Sequence, residues 1–318
     1  MRQRVNFKSQ QEWLEARKHG IGASEAGTIL GLNPWETPYQ LWRRKVGIDP
    51  EKPVSFAMTA GHYLEDAVSL FYRDATGKEI IQTSKGDWMF RNDKYPYLQV
   101  SPDRTYWIPG AKKNDDNKGI LECKTTQLDV DAENIPHSWF CQLQMNLGVA
   151  EYEQGAVAWL TQGRNFGYKE FEFDPEFFEY LKEEVTRFWV DNIKGMKEPD
   201  LQTVDDVLLR NPRHTPDKIL QADDELIEAC RELKEIKESL STLDDRKKEL
   251  EAKIKLAMVD AEALVADITG GKKQTILVTW KAAKDSLKFN EKKFAEAYAD
   301  IYETFKETIP GSRRFLLK

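Results

Sequence analysis

Cysteine is scarce in this 318-residue chain. Cys123, Cys141 and Cys230 are the whole complement, an odd number without CxxC spacing, which excludes a disulfide framework and a cysteine-built structural zinc site. No apolar run approaches the ~20 residues of a membrane-spanning helix. The opening MRQRVNFKSQQEW lacks the apolar stretch of a secretory signal. These absences lead to the expectation of a cytoplasmic protein with no membrane partner. Positive charge is not in excess either, since the formal net charge is -7, and a uniformly basic nucleic-acid coat is excluded. Long-period repeats and low-complexity tracts are also missing.

What is present is a chain with 40% hydrophobic and 11% aromatic residues, enough for true cores, and a length that suits two domains better than one. Charge is unevenly spread. Within residues 1–48 the bases Arg2, Arg4, Lys8, Arg17, Lys18, Arg43, Arg44 and Lys45 outnumber the acids Glu12, Glu15, Glu25 and Glu36, so a polyanion would meet this end. The first two hundred residues alternate helical and strand patterns in the manner of an α/β domain. Helices are predicted at about 9–19, 24–31, 38–46 and 57–76, and strands at about 79–82, 87–91, 97–107 and 118–126, with 110–119 as a hairpin loop. A helix from about 136, strands at about 154–161 and 167–173, and a helix over 175–194 complete the domain, placed at 1–200.

A connector is expected over 201–220, followed by an extension over 221–318. In that extension Leu226, Ala229, Leu233, Ile236, Leu240, Leu243, Lys247, Leu250, Ile254 and Ala257 recur three and four residues apart, which is a heptad seam interrupted by Lys247. It fits either a helix packed on its own domain or coiling between chains. A β-hairpin turning at Gly270-Gly271, a helix near 290–307 and a short basic strand over 313–318 follow.

The chemistry concentrates near residue 100. Val100-Ser-Pro-Asp103 is followed, nineteen residues after the aspartate, by Ile120-Leu-Glu122-Cys-Lys124. Alternation along a strand puts Glu122 and Lys124 on one face and Leu121 and Cys123 on the other. If the hairpin pairs the two strands, Asp103 faces Glu122, and two hard oxygen donors suit Mg²⁺ with water positions left open. Lys124 beside them can orient a water and offset charge growing on a phosphate. Ser24 follows a glycine-rich turn and is expected to cap the short helix that ends at Gly31, with Arg17 seven residues earlier making a terminal-phosphate pocket. Glu65 falls on a helix whose Leu64, Val68 and Phe71 are expected to pack, and the neutral Gln142 suits hydrogen bonding to a water or a phosphate. His19, His62, His137 and His214 show no metal-ligand spacing.

The Pro-Asp, strand, Glu-x-Lys order resembles the signature of the PD-(D/E)xK nucleases. Three further segments make the resemblance specific to the lambda exonuclease / YqaJ-type viral recombinase family: Trp13-Leu-Glu-Ala-Arg17-Lys-His-Gly-Ile-Gly-Ala-Ser24-Glu-Ala, Gly61-His-Tyr-Leu-Glu65-Asp-Ala and Trp139-Phe-Cys-Gln142-Leu-Gln144. The resemblance covers roughly residues 10–190. It implies a restriction-endonuclease-like α/β fold, a central mixed sheet flanked by helices, with the extension as an added α+β part containing a long helix. It implies a Mg²⁺-dependent 5′→3′ exonuclease on linear double-stranded DNA that leaves 3′ single-stranded tails. Asp103, Glu122 and the backbone carbonyl of Cys123 would hold the metal, in a site of two ions that Mn²⁺ can also fill. Lys124, Glu65 and Gln142 would assist, and Arg17 and Ser24 would bind the DNA 5′-phosphate. The implied setting is phage or prophage recombination in a bacterial host beside a single-strand annealing protein, with a homo-oligomer, a ring-shaped trimer, threading the DNA. The rival readings are an endonuclease with the same metal core and a catalytically silent DNA-end-binding scaffold.

Overall fold

A computed structural model describes residues 2–50, 53–82, 88–266, 275–309 and 311–318. The chain divides into two compact units, Met1–Arg210 and Asn211–Lys318.

The first unit holds two sheets. Strands β1 (Arg2–Asn6), β4 (Trp88–Asn92), β5 (Leu98–Val100) and β2 (Ile21–Gly22) form one, in that order. The other runs β3 (Ile80–Gln82), β6 (Arg104–Trp107), β7 (Lys118–Thr126), β8 (Gln154–Thr161) and β9 (Asn165–Glu172). All its pairings are antiparallel except β7 with β8. That parallel pair needs a crossover, which α5 (His137–Ala150) supplies. The expected mixed α/β sheet flanked by helices is therefore observed.

Strand β7 shows why the layers form. Its Leu121 and Cys123 join Ala156, Ala158 and Leu160 of β8 against Val68 and Tyr72 of α4 (Phe56–Thr76). Ile120, with Val157 and Trp159, faces the opposite core containing Leu143, Met145 and Leu147 of α5. Each leucine, isoleucine, valine or methionine among them contributes on the order of 1.5–3 kcal/mol by leaving water, and a one-residue slip of β7 would reverse both faces at once. Gly155 lets α5 sit this close, because a Cβ there would lie 2.8 Å from Leu143 and 3.0 Å from the Ile120 carbonyl. Helix α4 starts at Ser55, whose hydroxyl accepts from the Met58 N–H, and stops at Gly77 in the left-handed region.

Several expectations need correction. The stretch 97–107 is two strands in different sheets, split at Ser101-Pro102-Asp103, because proline cannot donate to a ladder. Strand β1 went unforeseen; it pairs with β4 from Arg2↔Asn92 to Asn6↔Trp88. The helix over 175–194 is α6 (Pro175–Arg187), continued by a π-helical stretch over Phe188–Lys194. Leu64 and Phe71 of α4 remain well exposed, so only Val68 of the three expected packing residues is buried. Residues 201–210 belong to the first unit through α7 (Val204–Arg210). The fully buried Asp206 accepts from Thr37 Oγ1 at 2.8 Å and Gln40 Nε2 at 3.2 Å, and from the Gln202 and Thr203 N–H groups.

The second unit contains the 35-residue helix α8 (Asp224–Met258), capped by Asp223. A hairpin of β10 (Ala263–Ala266) and β11 (Thr275–Thr279) follows, then α9 (Glu291–Ala297) and α10 (Ala299–Thr304). The helix expected near 290–307 is thus interrupted at Tyr298, and residues 313–318 form no strand. The Gly270-Gly271 turn lies outside the described residues. The cysteines are free, Cys123 and Cys141 buried and Cys230 exposed, and no helix among the described residues is long and apolar enough to cross a membrane.

Candidate active site

The split at Pro102 fixes where Asp103 sits. Strand β6 begins at the next residue with Arg104 opposite Leu121, so one step beyond the ladder Asp103 stands opposite Glu122. Its Oδ2 accepts the Cys123 N–H at 2.8 Å. A strand residue points its N–H and C=O to the same edge, so the Cys123 carbonyl is also turned toward Asp103, where β6 has ended.

Glu122 is fully buried on the β7 face that looks toward α5. Its Oε1 accepts from Asn146 Nδ2 at 2.6 Å, and its Oε2 accepts from Gln142 Nε2 at 2.5 Å and Lys124 Nζ at 3.2 Å. Lys124 also donates to Gln142 Oε1 at 2.8 Å. Gln142 therefore grips both charged groups from one amide. Burial and the neighbouring charge of Asp103 push Glu122 up to about 8, against the opposing pull of Lys124. For Lys124, burial works to lower the ammonium, but Glu122 and Asp103 outweigh it and hold it above its usual value.

Asp103 and Glu122 stand near enough for the charge of Asp103 to disfavour ionisation of Glu122, a repulsion that a bound cation would relieve. Among the described residues no three acidic, histidine or cysteine side chains converge as a ready-made metal cage. The donor set is instead two carboxylates and a backbone carbonyl, all hard oxygens, which fit a divalent ion such as Mg²⁺ that keeps most of its waters.

Glu65 approaches from α4. Its Oε2 lies 3.7 Å from Arg104 Nη1 and its Oε1 3.2 Å from His62 Nδ1. Arg104 is fully buried, pairs with Asp66 at 2.5 Å and donates to the Asp103 carbonyl at 2.5 Å. It thereby ties the Asp103 backbone to α4.

The pocket expected from sequence around Arg17 and Ser24 is built by the chain's first turns. Arg17 lies over the Trp13 ring at 4.6 Å, and Trp13 Nε1 donates to Ser101 Oγ at 3.3 Å. Ser24 is not the cap of α2 (Ala23–Ile29), as expected from sequence. Gly22 is, because the helix starts one residue before Ser24, and the Gly22 N–H donates to Glu25 Oε2 at 2.8 Å. Ser24 instead stands exposed on the first turn. Glu25 is nearly buried; burial pushes its carboxyl up, but Lys45, Arg17 and Arg44 together bring it below its usual value. Lys45 closes the turn, with its ammonium 2.8 Å from Glu25 and 2.7 Å from the Gly20 carbonyl.

A cavity of about 180 Å³ joins these parts. Arg17, Gly22, Ala23 and Ser24 line it together with Asp103, Gln142, Met89, Gln99 and Ser101. The structure thus brings Arg17, Ser24, Asp103 and Gln142 to one opening, where Glu122 and Lys124 hydrogen-bond to Gln142, the Cys123 N–H donates to Asp103, and Glu65 lies near Arg104.

Asn146 and Arg104 were missed from sequence. Asn146 lies one helical turn after Gln142, a spacing that puts both on one face of α5, so its signal was legible. Arg104 gave none beyond its place next to Asp103.

The YqaJ-like viral recombinase domain matches residues 12–153, a span that contains every one of these residues. The YqaJ protein of Bacillus subtilis (strain 168) is 32% identical over 321 residues, covering 98% of this chain and 94% of that protein. Among solved structures, the alkaline exonuclease LHK-Exo of Laribacter hongkongensis aligns with a TM-score of 0.45 at 14% identity, over 58% of this chain and 95% of that one. A phage related exonuclease from Haemophilus somnus 129PT aligns with a TM-score of 0.39 at 12% identity, over 56% and 96%.

Proposed function

The chain belongs to the YqaJ-like viral recombinase family, and from that premise we propose that it is a Mg²⁺-dependent deoxyribonuclease that digests linear double-stranded DNA from its 5′ ends and leaves 3′ single-stranded tails. The observation that carries this reading is the one cavity that Arg17 and Ser24 share with Asp103 and Gln142, which supports an end-binding role for the first pair beside a hydrolytic role for the second.

Asp103, Glu122 and the Cys123 carbonyl would hold Mg²⁺ or Mn²⁺, with Glu65 serving a second ion. When bound, the metal supplies a Lewis acid that polarises the scissile phosphate and makes water a stronger nucleophile at neutral pH. Lys124, fixed by Gln142 and Glu122, offers its ammonium to the attacking water and to the charge that grows on phosphorus-bound oxygen. Arg17, steadied on Trp13, pairs with the terminal 5′-phosphate, and the exposed Ser24 hydroxyl donates to it. Holding that phosphate sets which bond reaches Asp103, and this supports cleavage from the 5′ end with release of mononucleotides. A viral recombinase setting accords with 3′ tails handed to a single-strand annealing protein, and a ring-shaped trimer enclosing DNA is the assembly we propose with it.

The testing experiment compares linear duplex with and without 5′-phosphate and a covalently closed circle. The expected result is rapid digestion of phosphorylated ends and an intact circle; rapid nicking of the circle would move the assignment to an endonuclease. Arg17→Ala should lower the rate on phosphorylated ends by about ten- to a hundredfold, the worth of one charge-assisted hydrogen bond, and leave unphosphorylated ends nearly unaffected. Equal losses on both substrates would remove Arg17 from the end-binding role.

The state of Glu122 gives a second test. Its carboxyl rises from the ordinary 4.5 to about 8 in the fold, so across that window the folded chain holds a proton that the unfolded chain releases. In chelator this contribution to stability is therefore fully present at low pH and is lost as pH rises toward about 8. A cation must displace the same proton. Mg²⁺ is expected to raise the melting temperature more at about pH 8.5 than at about pH 6, and an equal rise at both would count against the Asp103 and Glu122 pair as its seat.

A further inference from the structure

Among the described residues, helix α8 presents a seam most of whose side chains are exposed. Leu240 and Leu243 are 59% and 66% exposed, and Leu226, Ile236 and Leu250 are also exposed. The helix is roughly 50 Å long at 1.5 Å per residue, and the heptad spacing runs its length from Leu226 to Ala257, broken only by Lys247. We infer that α8 pairs with α8 of a second copy of this chain, antiparallel and in full overlap, independently of what the first unit catalyses.

The core positions choose the orientation. In a parallel pair Ala229 and Ala257 would each meet themselves and leave voids, while Lys247 would face its own copy across the seam. Antiparallel, with Leu240 opposite the second copy's Leu243, the layers become Leu226 on Ala257, Ala229 on Ile254, Leu233 on Leu250 and Ile236 on Lys247. Every alanine then meets a large residue, and the lysine stem lies on an isoleucine with its ammonium free to reach the rim.

The flanking charges agree. In this register Glu232 lies beside Lys253 of the other copy and Lys237 beside its Asp244, each twice by symmetry. Cys230 meets Glu251 and Ser239 meets Arg246, so no like charges are opposed. Asp244 also pairs with Lys248 of its own helix at 2.6 Å. DNA is a poor occupant, because acids outnumber bases along α8.

The test uses the full chain. Leu240→Glu with Leu243→Glu changes two residues that are exposed in the single copy, so each chain should stay folded by circular dichroism. Light scattering should then show the assembly mass fall, by about twofold where α8 joins two of the assemblies that the first unit makes. An unchanged mass overturns the inference. Orientation is read in a Cys230→Ser background. Ala229→Cys and Ile254→Cys chains, co-refolded so that copies exchange, should form an inter-chain disulfide only when mixed, and rapid cross-linking of Ala229→Cys alone would establish the parallel pair instead.

Discussion

Lys124→Ala is expected to yield a folded chain whose digestion of linear duplex falls by about a hundred- to a thousandfold or more, the usual cost of removing one preorganised transition-state donor. The fold should survive because Glu122 keeps its hydrogen bonds from Asn146 and Gln142. Loss of the ammonium also removes the influence that lowers Glu122, so the buried acid climbs further above about 8 and stays neutral rather than standing as an unpaired charge. Circular dichroism and a melting curve check the fold, and single-turnover release of nucleotides checks the chemistry. DNA binding in chelator should change little. Digestion at the normal rate by this variant would remove Lys124 from the reaction.

Asp103→Asn should abolish digestion by a different route. The amide oxygen can still accept the Cys123 N–H that the carboxylate now holds at 2.8 Å, so the local backbone is retained while one negative ligand is lost. Several kcal/mol of metal-derived stabilisation correspond to about a thousandfold in rate or more. The same change withdraws the charge that helps push Glu122 up, so in chelator the pH dependence of stability should shift toward the ordinary carboxyl range. Two readouts thus move together: the Mg²⁺-induced rise in melting temperature disappears, and the activity with it. A variant that keeps both would show that the metal is held elsewhere.

Much of this site is legible in the sequence. Strand alternation placed Glu122 and Lys124 on one face of β7 and Leu121 and Cys123 on the other, since a two-residue period survives any detail of packing. The facing of Asp103 and Glu122 followed from a hairpin whose register agrees with it. Contacts between distant segments were harder. Arg104 is adjacent to Asp103, yet its burial against Asp66 and Glu65 depends on how α4 crosses the sheet. The contacts of Gln142 with Lys124 and Glu122 likewise needed α5 in place. Ser24 was misread as a cap because helix starts shift by a residue without changing the pattern, and Asp206 showed no sign in sequence of anchoring α7 to Thr37 and Gln40. The seam of α8 was plain in its spacing, but only its exposure favours a second chain over its own unit.

The most direct test of the central claim is one strand-resolved digestion with Mg²⁺. A linear duplex with 5′-phosphates, labelled internally on one strand near its 5′ end and on the other near its 3′ end, is incubated beside a closed circle. The account predicts early release of 5′-mononucleotides from the 5′-labelled region, a persistent 3′ tail, an untouched circle and no release in chelator or with Lys124→Ala. Release that begins at the 3′ end, or that continues at full rate without a divalent ion, would contradict it.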